Sequence, residues 1–508
     1  MLEMIDLKKK LSKAQFKKTL TELERKLNEL QRACKEAGIP TILVFEGLEA
    51  AGKGTCINRL MQPLDPRGFR VNPIHPPTEL ERFWPPLIRF WKLLPARGRL
   101  AIFDHSWYEE VLGARVRRET SQARWQKAFE EIMAFERQQA DDGAVILKFW
   151  MHISKKEQAR RFKEVEANKA LKWKIGKKEW QQHQDYPKYI KAAEEVFEKT
   201  NTAQASWIIV ESHDRRYATV KVFETLAATW EAALARHKAA ENAKSNAVAE
   251  RGPRTESRGS RGAAPDKLVS RNVTVLSKLD LTQKLSQAEY DRQVDKLQDR
   301  LRELEHLLYS KRIPAIICYE GCDAAGKGGN IKRIVGNLDP RGFEVIPIAA
   351  PTKDELAHHY LWRFANAMPK AGHLTIFDRT WYGRVMVERI EGFCPPEAWQ
   401  RAYREINEFE AHLASYGAVI VKFWLHIDQA EQLRRFKERQ RLKWKQWKLT
   451  DEDWRNRKKW PLYEAAINDM LANTSTSYAP WTIIEANDKL FARIKALKTV
   501  VSAIEKKL

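Results

Sequence analysis

Two segments of this chain have the composition of a loop that wraps phosphate. Gly321-Cys322-Asp323-Ala324-Ala325-Gly326-Lys327-Gly328 carries a complete phosphate-loop spacing, and Ala50-Ala51-Gly52-Lys53-Gly54 repeats its second half. Glycines let the backbone turn its N–H groups toward phosphate oxygens. A helix start adds favourable partial charge, and the lysine reaches over the transferring group. Gly321, Ala324, Ala325, Gly326 and Gly328 are therefore the expected backbone contacts, with Lys327 as the catalytic cation. The loop departs from the usual pattern twice. Gly328 stands where a magnesium-binding Ser or Thr is common, and Asp323 puts a carboxylate beside bound polyanion. That carboxylate makes sense if it binds metal or orients the attacking phosphate.

More chemistry follows downstream. Asp378 ends an apolar run and is a candidate metal ligand or base, although an N-cap role would use the same residue. Arg379, Tyr382 and Arg384 follow it at once, and arginines there can neutralise charge on equatorial phosphate oxygens. Between Arg434 and Trp460 the chain is crowded with cations and indoles. Arg434, Arg435, Arg439, Arg441 and Lys445 are the candidate phosphate contacts of a lid. The same composition would suit a single-stranded nucleic-acid groove or a solvated helix face over buried tryptophans.

These residues need a scaffold that brings loop, strand end and lid together. Each copy opens with a capping box, Ser12 with Gln15 and Ser286 with Glu289, ahead of an amphipathic helix. Apolar runs follow at 41–45, 69–74, 100–104, 144–153 and 207–211, and again at 315–319, 343–348, 374–378, 418–427 and 481–485. Helical patterns lie between them. Continuous apolar strands alternating with helices predict an α/β fold, a parallel sheet flanked by helices with a helical lid, built twice in tandem. The copies align at a constant offset of 274 positions, as between Lys53 and Lys327. The expected domains are 1–235 and 281–508, joined by a breaker-rich linker over 236–280.

The chain has 508 residues and a formal charge of +23, with a pI of about 9.6. Such a charge favours an anionic partner without choosing among nucleic acid, membrane surface and a polyanionic substrate. No apolar run of about 18 residues predicts a membrane span, and the first residues lack a secretory signal's apolar core. Five cysteines without metal or redox spacing fit a reducing cytoplasm.

Taken together, the second copy's G-x-D-A-A-G-K-G, Leu338-Asp-Pro-Arg-Gly342, Ala350-Pro-Thr352, Phe377-Asp-Arg-Thr-Trp-Tyr-Gly-Arg384 and Lys445-Gln-Trp-Lys-Leu resemble the polyphosphate kinase 2 family. The tandem form is similar to its two-domain subgroup. The resemblance implies a thymidylate-kinase-like phosphate-loop fold and transfer of a phosphoryl group from inorganic polyphosphate to AMP, giving ADP. Mg2+ is the implied cofactor, with Mn2+ as a substitute. Arg341 and Arg363 join the expected phosphate contacts, and Asp323 and Asp378 the expected metal ligands. No nucleic-acid or membrane partner is expected, and the long opening helices could pair copies into an oligomer. The acceptor rests on analogy, so ADP or GDP remain alternatives. An ATP-dependent nucleoside monophosphate kinase and a nucleic-acid-binding ATPase are the rival classes.

The copies differ where chemistry should occur. Asp323 corresponds to Glu49, Arg379 to His105, Gly383-Arg384 to Glu109-Glu110, and Arg439, Arg441 and Lys445 to Val165, Ala167 and Leu171. Reversing the charge at 384 should repel phosphate. Residues 281–508 are therefore the expected catalytic half.

Overall fold

The computed structural model describes residues 2–249 and 274–508; it leaves the side chains of Lys445 and of its neighbours Trp444 and Lys448 undescribed. The strands of the first copy are β1 (Thr41–Glu46), β2 (Phe69–Pro73), β3 (Leu100–Asp104), β4 (Val145–His152) and β5 (Trp207–Glu211). Those of the second are β6 (Ala315–Gly321), β7 (Phe343–Pro347), β8 (Leu374–Asp378), β9 (Val419–His426) and β10 (Trp481–Glu485). Each set forms one five-stranded sheet, ordered β2-β3-β1-β4-β5 and β7-β8-β6-β9-β10. Every strand pair is parallel.

This order explains where a site can form. The chain leaves central β6 for one side of the sheet, builds β7 and β8, then crosses to β9 and β10. The loops after β6 and its neighbours therefore diverge at the carboxyl ends of the strands and leave a crevice there. Gly321 ends β6, and the helix Lys327–Ile334 starts six residues later.

Two compact units emerge. One comprises residues within Met1–Pro77, Arg89–Arg258 and Leu356–His359, the other residues within Thr78–Ile88, Gly259–Glu355 and Tyr360–Leu508. Each unit thus takes a short segment from the other half of the sequence, which a division by position alone does not anticipate. The helix Arg215–Ala249 also runs past residue 236, the expected start of the linker. Most of that linker, 250–273, lies outside the described residues. Both capping boxes are formed, starting the helices Lys13–Glu36 and Gln287–Lys311.

A buried lysine interrupts the apolar pattern of the sheet. Lys422 lies in the middle of β9 at 0% exposure. Its ammonium donates to Tyr382 Oη at 2.9 Å, Glu410 Oε2 at 2.8 Å and Thr474 O at 2.7 Å. Tyr382 Oη and Trp381 Nε1 in turn donate to Glu410 Oε1, at 2.6 and 3.0 Å. All three lysine donors are thus satisfied, which makes a buried charge tolerable. The cluster ties the segment after β8 to the helix Pro396–Ser415 and to β9. The first unit repeats it, with Lys148 bonded to Tyr108, Glu136 and Thr200.

Substituting Lys422→Met leaves Glu410 buried without its counter-charge. The expected loss is about 3–5 kcal/mol of stability, measurable by chemical denaturation, with part of it recovered in the double variant Lys422→Met/Glu410→Gln.

Candidate active site

The phosphate loop connects β6 to the helix Lys327–Ile334, and its geometry explains its glycines. A Cβ on Gly321 would lie 2.6 Å from Leu425 O on the neighbouring strand. Gly326, at φ 106°, caps the helix in a left-handed conformation. Ala324 and Arg379 adopt φ of 64° and 67°, which is costly for residues with a Cβ. Ala50 and His105 do the same in the first unit, at 61° each. The strained turns belong to the shared scaffold.

Arg435 holds this loop from behind. It is 3% exposed. Its Nη1 donates to Ala324 O and Ala325 O, both at 3.0 Å, and its Nη2 to Ala486 O at 2.7 Å and Asn487 O at 3.0 Å. Nε pairs with Glu431. Cys322 N and Ala325 N donate to Leu425 O and Cys322 O, at 3.1 and 3.0 Å; with the loop carbonyls bonded to the guanidinium, the N–H groups at the start of the helix Lys327–Ile334 are the ones that suit an anion. Arg435 therefore supports the loop through its backbone rather than standing free as the expected lid cation. Arg161 makes the same bonds to Ala50 O, Ala51 O, Ser212 O and His213 O.

In front of the loop lies a cavity of about 120 Å³. Its polar wall brings together Asp323, Lys327, Arg379, Glu320, Glu452 and Asn456; its apolar wall includes Met386, Val387, Trp424, Trp460 and Ile467. Lys327 Nζ donates to Gly321 O at 3.0 Å. Asp323 Oδ1 lies 3.7 Å from Arg379 Nη2, and Asp323 Oδ2 accepts from Asn456 Nδ2 at 3.0 Å. Arg379 is half exposed. Burial opposes its charge, but Asp323 and Glu320 outweigh this and raise its pKa, so it stays cationic. Glu320 is buried and accepts from Thr380 N at 2.7 Å and Oγ1 at 2.8 Å; burial pushes its carboxyl upward.

Other expected residues lie elsewhere. Tyr382 is fully buried in the Lys422–Glu410 cluster, so its hydroxyl cannot reach a phosphate. Arg384 pairs with Glu388 at 3.0 Å and lies over the Tyr360 ring at 4.4 Å, away from the cavity lining. Arg341 is held by Asp339 at 2.7 Å and is otherwise exposed, while Arg363 pairs with Glu355 at 3.2 Å. Arg434 pairs with Glu431 at 2.7 Å. Arg441 is exposed, and Arg439 faces a second cavity behind the loop. Asp378 ends β8 beside the site, partly buried. Sequence reading missed Glu320, Glu452 and Asn456. Glu320 had a usable signal, since Glu46 repeats it at the common offset.

The first unit's loop is already occupied by its own side chains. Lys53 is 6% exposed, donates to Gly47 O at 2.8 Å and lies 4.0 Å from Glu49. His105 contacts Glu46 at 3.2 Å and Glu49 at 3.5 Å. Glu49 N, a loop donor, is bonded to Gln182 Oε1 at 2.8 Å. Lys53 holds the Glu49 carboxyl down at about 2. Lys53 and burial disfavour protonated His105, but hydrogen bonds to Glu46 and Glu49 prevail and raise it to about 9. Glu110 is paired with Arg124 at 2.8 Å rather than facing the loop.

A parallel β2-β3-β1-β4-β5 sheet with a phosphate loop after its central strand and a helical segment over its mouth defines a phosphate-loop kinase fold. The polyphosphate kinase 2 (PPK2) family matches residues 10–238 and 284–508, and the chain belongs to that family. It is 41% identical to the polyphosphate:AMP phosphotransferase of Pseudomonas aeruginosa over 508 residues, 99% of both chains. It is 34% identical to the enzyme of the same name from Acinetobacter johnsonii, over 91% of this chain and 90% of that one. A crystal structure of a polyphosphate kinase 2 from Pseudomonas aeruginosa PA01 superposes with a TM-score of 0.85 at 40% identity, covering 100% of this chain and 99% of that one.

His105 supplies a pH test. Because its folded pKa lies above the ordinary value near 6.5, its stabilising effect is complete below about 6.5 and disappears as pH rises through about 9. NMR titration should place its midpoint near 9, and His105→Gln should remove that part of the pH dependence of thermal stability.

Proposed function

We propose that the chain is a polyphosphate:AMP phosphotransferase whose chemistry takes place in the second unit. The observation that carries this reading is the cavity lined by Asp323, Lys327 and Arg379 beside an apolar wall. Lys327 and Arg379 suit the phosphates of the substrates, and the tryptophan-lined wall suits a nucleobase. Relatives matched along nearly the whole chain carry that activity in their names.

In this reading AMP lies in the cavity with its base against Trp424 and Trp460 and its phosphate near Arg379. An oxygen of that phosphate attacks the terminal phosphorus of polyphosphate in line. The new P–O bond yields ADP, the bond to the chain breaks, and the chain leaves one phosphate shorter. Lys327 and the loop amides hold the transferring group and the leaving oxygen, while Arg379 offsets charge on the acceptor. The segment Asp451–Lys458, which brings Glu452 and Asn456 to the cavity, limits access of water, the competing acceptor.

Mg2+ fits the available donors. Among the described residues no group of three or more His, Cys, Asp or Glu gathers as a metal cage. Mg2+ is commonly held by one or two carboxylates plus substrate phosphates and waters, so Asp323 and Asp378 would suffice. When bound, the ion would neutralise phosphate charge. Among the described residues no helix is long and apolar enough to cross a membrane, and we assign the enzyme to the cytoplasm.

Separate single substitutions test the division of labour. Lys327→Ala should lower kcat with polyphosphate and AMP by about 10²-fold or more, whereas Lys53→Ala should keep most activity. Retention of activity in Lys327→Ala and its loss in Lys53→Ala would reverse the assignment. A panel of AMP, ADP, GMP and GDP, resolved by product chromatography, should show ADP formed from AMP as the main product.

A further inference from the structure

The helix Asp451–Lys458 meets the phosphate loop at the Asp323 carboxylate, where Asn456 Nδ2 donates to Oδ2 at 3.0 Å. Asn456 is itself oriented, because Tyr463 Oη donates to its Oδ1 at 3.1 Å. Burial, with Glu391 and Asp323 nearby, pushes the Tyr463 phenol well up, so it remains a donor. The same stretch is moored to the short helix Val387–Glu391, whose Val387 lines the cavity. The Glu391 carboxylate, 7% exposed, pairs with Lys459 at 2.9 Å and with Arg455 at 3.3 Å. A second connection runs through the backbone. Arg457 Nη1 donates to Gln429 O at 2.8 Å and to Gln432 Oε1 at 3.1 Å, and Gln432 Nε2 donates to Asp323 O at 3.2 Å. The side chain and the carbonyl of Asp323 are thus both tied to this helix.

The first unit uses the matching position differently. Gln182 corresponds to Asn456, and its Oε1 accepts from Glu49 N at 2.8 Å, so the amide meets the loop backbone there. Glu391 corresponds to Arg117 and Lys459 to Asp185, which inverts the mooring charges. An amide donor on Asp323 has a particular merit. It fixes the orientation of an anionic carboxylate without neutralising it, and leaves Oδ1 on the side of Arg379.

We infer that Asn456 is a positioning residue, which latches the helix Asp451–Lys458 onto the Asp323 carboxylate and so keeps water from the terminal phosphate of the donor. The inference rests on the proposed transfer from polyphosphate to AMP. Two acceptors compete for one phosphorus. When AMP attacks, the bond to the chain breaks and ADP forms. When a water oxygen attacks, the same bond breaks, inorganic phosphate forms and the protons of the water pass to solvent. The latch acts on the second course, because an open helix admits water while the loop still holds the donor. A hydrogen bond to a charged group is worth about a tenfold effect or more, which sets the scale of the leak when it is removed.

The test measures inorganic phosphate released per ADP formed, with the full chain, long-chain polyphosphate and AMP. Asn456→Ala should raise that ratio about tenfold, and Asn456→Gln, which keeps an amide donor, should recover part of the change. Tyr463→Phe removes only the hydroxyl that orients Asn456. It should raise the ratio by a smaller factor, so poor folding of one variant does not end the test. A variant that is merely less folded loses both products together and leaves the ratio as it was. An unchanged ratio in both Asn456→Ala and Tyr463→Phe overturns the inference. A raised KM for AMP at an unchanged ratio would place Asn456 on the acceptor and also overturn it. Wild-type protein that forms no ADP refutes the proposed function instead. The latch is then read from trypsin cleavage within 455–459, which Asn456→Ala should speed several-fold and which an absent latch leaves unchanged.

Discussion

The site depends on one buried guanidinium. Arg435 bonds to the carbonyls of Ala324 and Ala325 on one side and to those of Ala486 and Asn487 on the other. It joins the phosphate loop to the segment leaving β10 and fixes which way the loop peptides point. A phosphate loop works because several N–H groups converge on one place, which requires the opposing carbonyls to be engaged elsewhere. An arginine suits this task because its planar fork reaches several oxygens at once and stays charged. Behind it, the Lys422–Glu410–Tyr382 cluster anchors the segment after β8 that supplies Arg379.

Both braces occur in both units, which separates scaffold from chemistry. Arg161 and Lys148 repeat the bonds of Arg435 and Lys422. The strained turns repeat as well, at Ala50 and His105. The units differ in what fills the loop's mouth. In the first, Glu49, His105 and Gln182 take up Lys53 and a loop amide. In the second, Asp323 and Arg379 stay at 3.7 Å and line an open cavity. A loop lysine near a carboxylate and with one amide already bonded offers an incoming phosphate less than one whose partners line a cavity.

Much of the fold was legible because burial leaves a strong sequence trace. The apolar runs at 374–378 and 481–485 coincide with β8 and β10, and both capping boxes formed as their spacing requires. Tyr382 and Arg384, both expected at the site, lie in the core and beside Glu388. Their closeness in sequence to Asp378 said nothing about direction, and the short 3-10 turn Trp381–Val385 points Tyr382 into the core. The assignment of Leu356–His359 to one unit and Thr78–Ile88 to the other does not follow position along the chain.

The sequence by itself determined the duplication, the two phosphate loops, the parallel architecture and the family, because each is a matter of residue type and spacing along the chain. What each cation meets was decided only by tertiary structure. Arg341 and Arg434 are held by Asp339 and Glu431, close neighbours in the chain, while Arg379 meets Asp323 and Arg493 faces the loop from a helix more than 160 residues away. A charge acts on what lies within a few ångströms of it, and that distance is set by the folded chain.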